Sequence, residues 1–222
     1  MRIGIAGVIA CLALVGVVQW RAQTHFTRAS FWFEDVSFDS SQVQAPRLGV
    51  PLTATEIERI RRIARDELTA AFAGFRVLFS DDRHAMYTVR VVQSTKHPPL
   101  SPFHWSFESA GESRVVRRFG GQGIVNFRLL ANYAIMHAPA GAERATIIRG
   151  IGRGIGRAAA HEFAHLFLAS ESIHATRDPA SYEYPSADRP GQYYGPMHWD
   201  IAGRMLETRL GRKDAVTASL FR

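Results

Sequence analysis

His161, Glu162, His165 and His174 fall within one short segment, HEFAHLFLASESIHATRDPASYEYP, residues 161–185. On an α-helix, residues four apart lie about 40° apart in projection and roughly 6 Å apart along the axis, so the imidazoles of His161 and His165 can reach one ion at about 2.0–2.1 Å. Glu162 projects about 100° away from His161. It cannot comfortably join the same ligand set, but it can reach a water held by the ion. A carboxylate there accepts a proton as the water attacks a polarised carbonyl, then protonates the leaving amine. H-E-x-x-H thus predicts metal-assisted peptide hydrolysis with Glu162 as the catalytic residue. The competing reading, a metal-free buried helix A-A-A-H-E-F-A-H-L-F-L, leaves two His and a Glu seeking partners beside Phe163 and Phe167, at a cost of several kcal/mol.

Composition narrows the chemistry. Cys11 is the only cysteine and sits in an apolar leader, which excludes cysteine-based zinc sites, cysteine nucleophiles and a thiolate latency switch downstream of it. A metal must use His and carboxylates. All but two of the 27 basic residues are arginine (Lys96 and Lys213 are the exceptions), and the net charge is +7. Such a chain adheres to polyanions. The arginines are nonetheless scattered, and R-I-R-R-I-A-R at 59–65 alternates with Ile at helical spacing, the pattern of a solvated helix face. No specific nucleic-acid partner is expected. R-G-I-G-R-G-I-G-R at 149–157 lacks the G-K-[ST] and the glycine spacing of a phosphate loop, and reads as a flexible lead into the His-bearing helix.

Residues 1–22 carry one early Arg, an uncharged stretch from Ile3 to Val18, then Trp20 and Arg21. This reads as a signal peptide or a membrane tether through residues 3–18, and it predicts an extracytoplasmic location, secreted or anchored. Residues 23–50 read as one strand (F-W-F-E-D-V-S-F) and a linker, and residues 51–222 as the functional domain.

Within that domain, Thr53 and Glu56 form a capping-box signature ahead of Ile57, Ile60, Ala64, Leu68, Ala71 and Phe72 at helical spacing. Two β-rich runs at 75–80 and 86–94, split by D-D-R-H, predict neighbouring strands. The Pro-rich stretch holding His97 and His104 suits a loop. R-V-V-R-R-F and I-V-N-F-R-L-L-A read as strands at the sheet margin. A helix is expected from Ala142, and a last one carries Trp199, Ala202, Met205, Leu206 and Leu210 up to Gly211. Tyr182, Tyr184, Tyr193 and Tyr194 could supply an oxyanion hydroxyl but in such density read mainly as packing; Met197 and His198 read as structural.

The 161–185 segment resembles the zinc region of the metzincin peptidases, especially the matrixin branch, in which H-E-x-x-H-x-x-G-x-x-H precedes an S-x-D-P-x-x-x-M-Y-P-like turn. Here H-A-T-R-D-P-A-S-Y-E-Y-P begins at His174. The resemblance implies Zn²⁺ held by His161, His165 and His174, a peptide or protein substrate, and an α+β zincin fold: a twisted, mostly parallel sheet, one long N-terminal helix, the H-E-x-x-H helix and a C-terminal helix. It covers about 25 residues and departs from the family where Gly is replaced by Leu168, where the third His falls on Glu171 and His174 comes three positions late, and where Glu183 replaces the turn's Met. Other third donors are Glu183, as in thermolysin-like peptidases, Glu171 on spacing, and Asp178, as in Asp-liganded zinc peptidases. A substrate is expected to lie along a margin strand at 124–130. The rival functions are a non-catalytic, zinc-stabilised envelope protein and an Arg-rich polyanion-binding module.

Overall fold

The computed structural model describes residues 26–34, 46–95, 109–116, 120–170 and 172–213. The leader with Cys11, the loop bearing His97 and His104, and Glu171 lie outside the described residues.

The architecture is α+β. Strands β1 (Thr27–Phe33), β2 (Val77–Ser80), β3 (Tyr87–Val92), β4 (Gly111–Val116) and β5 (Gly120–Asn126) form one sheet in the order β2-β1-β3-β5-β4. All pairings are parallel except that of β4 with β5. The interior strands β1 and β3 bury Ala29, Phe31, Phe33, Val89 and Val91, as strands of a covered parallel sheet must.

The described residues also form five α-helices: α1 (Ala54–Ala71), α2 (Phe127–Met136), α3 (Arg144–Leu168), α4 (Gly191–Tyr194) and α5 (Ile201–Leu210). α1 starts at the capping box read from sequence: the Glu56 N–H donates to Thr53 Oγ1 at 3.3 Å, and the Glu56 carboxylate accepts from the Thr53 N–H at 2.8 Å. Its buried stripe is Ile60, Ala64, Leu68 and Ala71. α3 crosses the centre of the molecule, touching α1 and α2 as well as β3, β4 and β5. Among the described residues, no helix is long and apolar enough to cross a membrane.

Three expectations are corrected. β2 and β3 are not neighbours, because β1 lies between them; Ser80 is level with Ser30 and Tyr87 with Ala29, so the D-D-R-H connection steps across β1 without running back along a strand. The margin strand on that side of the sheet is β4, not 124–130: Ile124–Asn126 belong to β5, flanked on both sides, and residues from Phe127 are helical. The reason is Asn126, whose side-chain oxygen accepts from the Leu129 N–H at 3.0 Å and starts α2.

R-G-I-G-R-G-I-G-R, finally, is not a flexible lead but the first half of α3. Added Cβ atoms on Gly152 and Gly156 would meet Ile63 and the Ala64 carbonyl of α1 at 2.7 and 2.4 Å, and on Gly150 and Gly154 would meet Tyr194 and Tyr193 at 2.6 and 2.2 Å. The helix lacks side chains there because its neighbours occupy the space.

Candidate metal centre

α3 places His161 and His165 one turn apart near its C-terminal end, and ends at Ala169, which adopts the left-handed conformation (φ 49°, ψ 42°) and donates its N–H to the His165 carbonyl. The chain turns back through a 3-10 turn, Ser172–Ala175, which returns His174 to the helix. The three Nε2 atoms converge: His165 to His161 is 3.2 Å, His165 to His174 is 3.1 Å and His174 to His161 is 2.9 Å. Among the described residues these three form the cluster of His, Cys and carboxylate donors that could hold an ion. Of the third donors read from sequence, His174 is the one that the described fold brings to His161 and His165.

The other candidates among the described residues, Asp178 and Glu183, are engaged elsewhere. Asp178 accepts from the Ala180 N–H at 2.8 Å and pairs with His198 at 3.1 Å. Glu183 is fully buried and its Oε1 accepts from the Asp200 N–H at 2.7 Å, which ties the turn at 181–185 to the start of α5. It therefore braces the segment below the site without bonding a ligand ring.

The ring chemistry tests whether an ion fits. His161 Nδ1 lies 2.7 Å from the Tyr182 carbonyl, and His165 Nδ1 lies 2.7 Å from the Ser170 carbonyl. A carbonyl only accepts, so each Nδ1 carries the hydrogen, and in the neutral form of each ring Nε2 is a bare lone pair. With both rings neutral, two bare lone pairs 3.2 Å apart cannot hydrogen-bond to each other, and a cation shared between them removes that conflict. Ligands at 2.0–2.1 Å from a tetrahedral ion are about 3.3–3.4 Å apart, close to the spacings found. Burial, and then the neighbouring His165, hold the His161 ring down to about 3, against the opposing bond to the Tyr182 carbonyl, so it stays neutral. Burial also lowers His174.

Glu162 leaves α3 on another side and lies against the edge strand, where an added Cβ on Gly111 would come within 2.4 Å of its Oε1. Burial pushes its carboxyl up to about 8; a hydrogen bond with the Ser113 side chain opposes this and the Glu112 charge adds to it. Glu162 and all three histidines line one open cleft of about 690 Å³, bordered by Ser109–Ser113 of the β4 region, by Leu129 and Tyr133 of α2, and by the 182–188 segment.

Sequence reasoning missed the groups that aim these side chains: two backbone carbonyls, which have no residue signature, and Gly111 and Ser113. A glycine in a strand does signal close approach, and Gly111 carries that signal. Of the tyrosines, Tyr182 packs against the Trp199 ring at 4.8 Å and Tyr194 donates its hydroxyl to the Ala134 carbonyl at 2.6 Å, in keeping with a packing role. No protein-family model matches this chain and no curated protein matches it, so its chemistry is read from its own residues.

Proposed function

We propose that this chain is a zinc-dependent endopeptidase of metzincin-like plan, acting outside the cytoplasm. The observation that carries the reading is the convergence of three Nε2 atoms within 2.9–3.2 Å, two of them on rings whose Nδ1 hydrogens are committed to carbonyls. Three imidazoles with no fourth donor among the described residues match the open ligand set of catalytic zinc, where structural sites are closed by four. The mostly parallel sheet, the long helix α1, the H-E-x-x-H helix and the closing helix agree with the expected plan. The apolar leader supports the location.

Zinc bound by His161, His165 and His174 would supply a Lewis acid for the scissile carbonyl and make water a better nucleophile. Glu162 supplies the proton traffic. In its ionised form the carboxylate takes a proton from water as the water oxygen bonds to the carbonyl carbon, and returns it to the amine nitrogen as the carbon–nitrogen bond breaks. Ser113 holds that carboxylate from the strand side. β4 ends the sheet, and among the described residues no strand pairs with its outer edge, so an extended substrate can hydrogen-bond along it beside the cleft.

The test is metal analysis of the purified chain together with peptide cleavage. Equimolar zinc is expected, lost in His161→Ala and in His174→Ala. Glu162→Gln should keep its zinc and lose about 10²- to 10⁴-fold in cleavage rate. Cleavage that survives Glu162→Gln, or zinc that survives both His substitutions, refutes the reading.

A further inference from the structure

The cleft and the rest of the chain differ in charge. Despite 27 basic residues and a net charge of +7, the described residues that line the cleft include neither Lys nor Arg, and they include Glu112, Glu162 and Asp188. Arg189, next to Asp188, turns behind the wall: Nε donates to the Ser186 carbonyl at 2.8 Å, Nη2 donates to the Ser181 carbonyl at 3.1 Å and to Gln192 Oε1 at 3.0 Å, and the guanidinium covers the Tyr184 ring.

Asp188 is the acid with room for a ligand. Its side chain is 49% exposed, and its Oδ1 lies 2.7 Å from His137 Nε2 at the end of α2. That imidazole is fixed in turn by stacking on the fully buried Tyr193, with ring centroids 6.1 Å apart. The carboxylate is thus held by one oxygen, and its exposure leaves the other accessible. The same cleft is lined by Leu129 and Tyr133 from α2 and by Ala158 from α3. An apolar wall with a half-exposed carboxylate at its rim suits a side chain with a long aliphatic stem and a cationic head.

We propose that the cleft selects peptides by a Lys or Arg side chain, with its stem on Leu129, Tyr133 and Ala158 and its head at Asp188. The inference rests on the peptidase reading for its substrate class, and a binding measurement separates the two. Fluorescent peptides identical except for one residue, Lys, Arg, norleucine or Glu, scanned through each position, are titrated into the zinc-loaded Glu162→Gln chain. At one position the Lys and Arg peptides should bind about tenfold tighter than norleucine, with Glu weakest. Adding Asp188→Asn should collapse that ratio to about twofold, with zinc content and melting temperature unchanged.

Equal binding of the four peptides, or a cationic preference that survives Asp188→Asn, overturns the proposal. If the Lys peptide binds selectively through Asp188 but the unsubstituted chain does not cleave it, the selectivity stands and the hydrolytic reading fails.

Discussion

The two halves of α3 use opposite means to meet their surroundings. From Gly150 to Gly156 the helix is defined by what it lacks, since every second residue is a glycine and the vacated space is filled by α1 and by the Tyr193 and Tyr194 rings. From His161 to His165 it is defined by what it projects, two ring nitrogens and a carboxylate facing a cleft. A helical glycine costs roughly 1 kcal/mol relative to alanine, so a run of four persists only where the close approach returns more. Substitutions in the first half should therefore act on folding, and substitutions in the second on metal and catalysis.

The largest effect should come from Gly154→Leu, whose Cβ would lie 2.2 Å from the ring of Tyr193, itself fully buried. Neither can move away freely, and a loss of more than about 4 kcal/mol is expected, read as the absence of a cooperative melting transition. A folded Gly154→Leu chain would break the comparison.

In the second half, His165→Ala should lower zinc affinity by about a hundredfold or more, seen by competition with a chromophoric chelator. The metal-free variant should melt within a few degrees of the metal-free parent, because removing one ring also relieves the facing lone pairs. A collapse of the metal-free fold would show that the two halves are not separable.

The third prediction tests how the first half is anchored. Arg144 opens α3 and grips Glu56 through Nε at 2.6 Å and Nη2 at 2.9 Å, while also donating to the Leu48, Val50 and Pro51 carbonyls. The guanidinium holds the Glu56 carboxyl down to about 2, from an ordinary 4.5. A carboxyl whose folded value is depressed stabilises the protein fully above its unfolded value, so this contribution should be intact above pH 4.5 and fade as pH falls towards 2. Allowing for partial solvent screening it is about 1–2 kcal/mol. Glu56→Gln should remove that part of the acid slope in denaturant melts between those pH values and leave zinc content untouched; an unaltered slope would deny the clamp its role.

The smallest effect should be a gain. Ala169 takes a left-handed conformation at φ 49°, which costs an L-residue about 1–2 kcal/mol. Ala169→Gly should raise stability by about 1 kcal/mol. If it also weakens zinc binding, the stiffness of that corner is part of the site.

Much of the fold could be read from local patterns. Thr53 and Glu56 announce α1, and the β-branched and aromatic runs announce β1, β2 and β3, because those signals act over a few residues. What escaped was non-local. Nothing between residues 75 and 94 says that β1 will separate two strands, and the glycines of α3 look like a flexible lead until Ile63, Tyr193 and Tyr194 are seen against them. At the site, H-E-x-x-H spacing placed His161, Glu162 and His165. His174 was named through a resemblance with a misfitting spacer, and the fit is met by ending the helix at Leu168 and turning at Ala169. Asp188 escaped because its significance lies in what surrounds it.

Two of the three candidate ligand rings are oriented by main-chain oxygens, those of Ser170 and Tyr182. Replacing the side chain at either position leaves that oxygen in place, so sequence can drift there while the imidazoles keep their bearing. The reverse also holds. Anything that bends the path of the chain through 170–182, whether a proline, a crosslink or an inhibitor wedged under the turn, would detune the ion's grip without touching a residue that holds it.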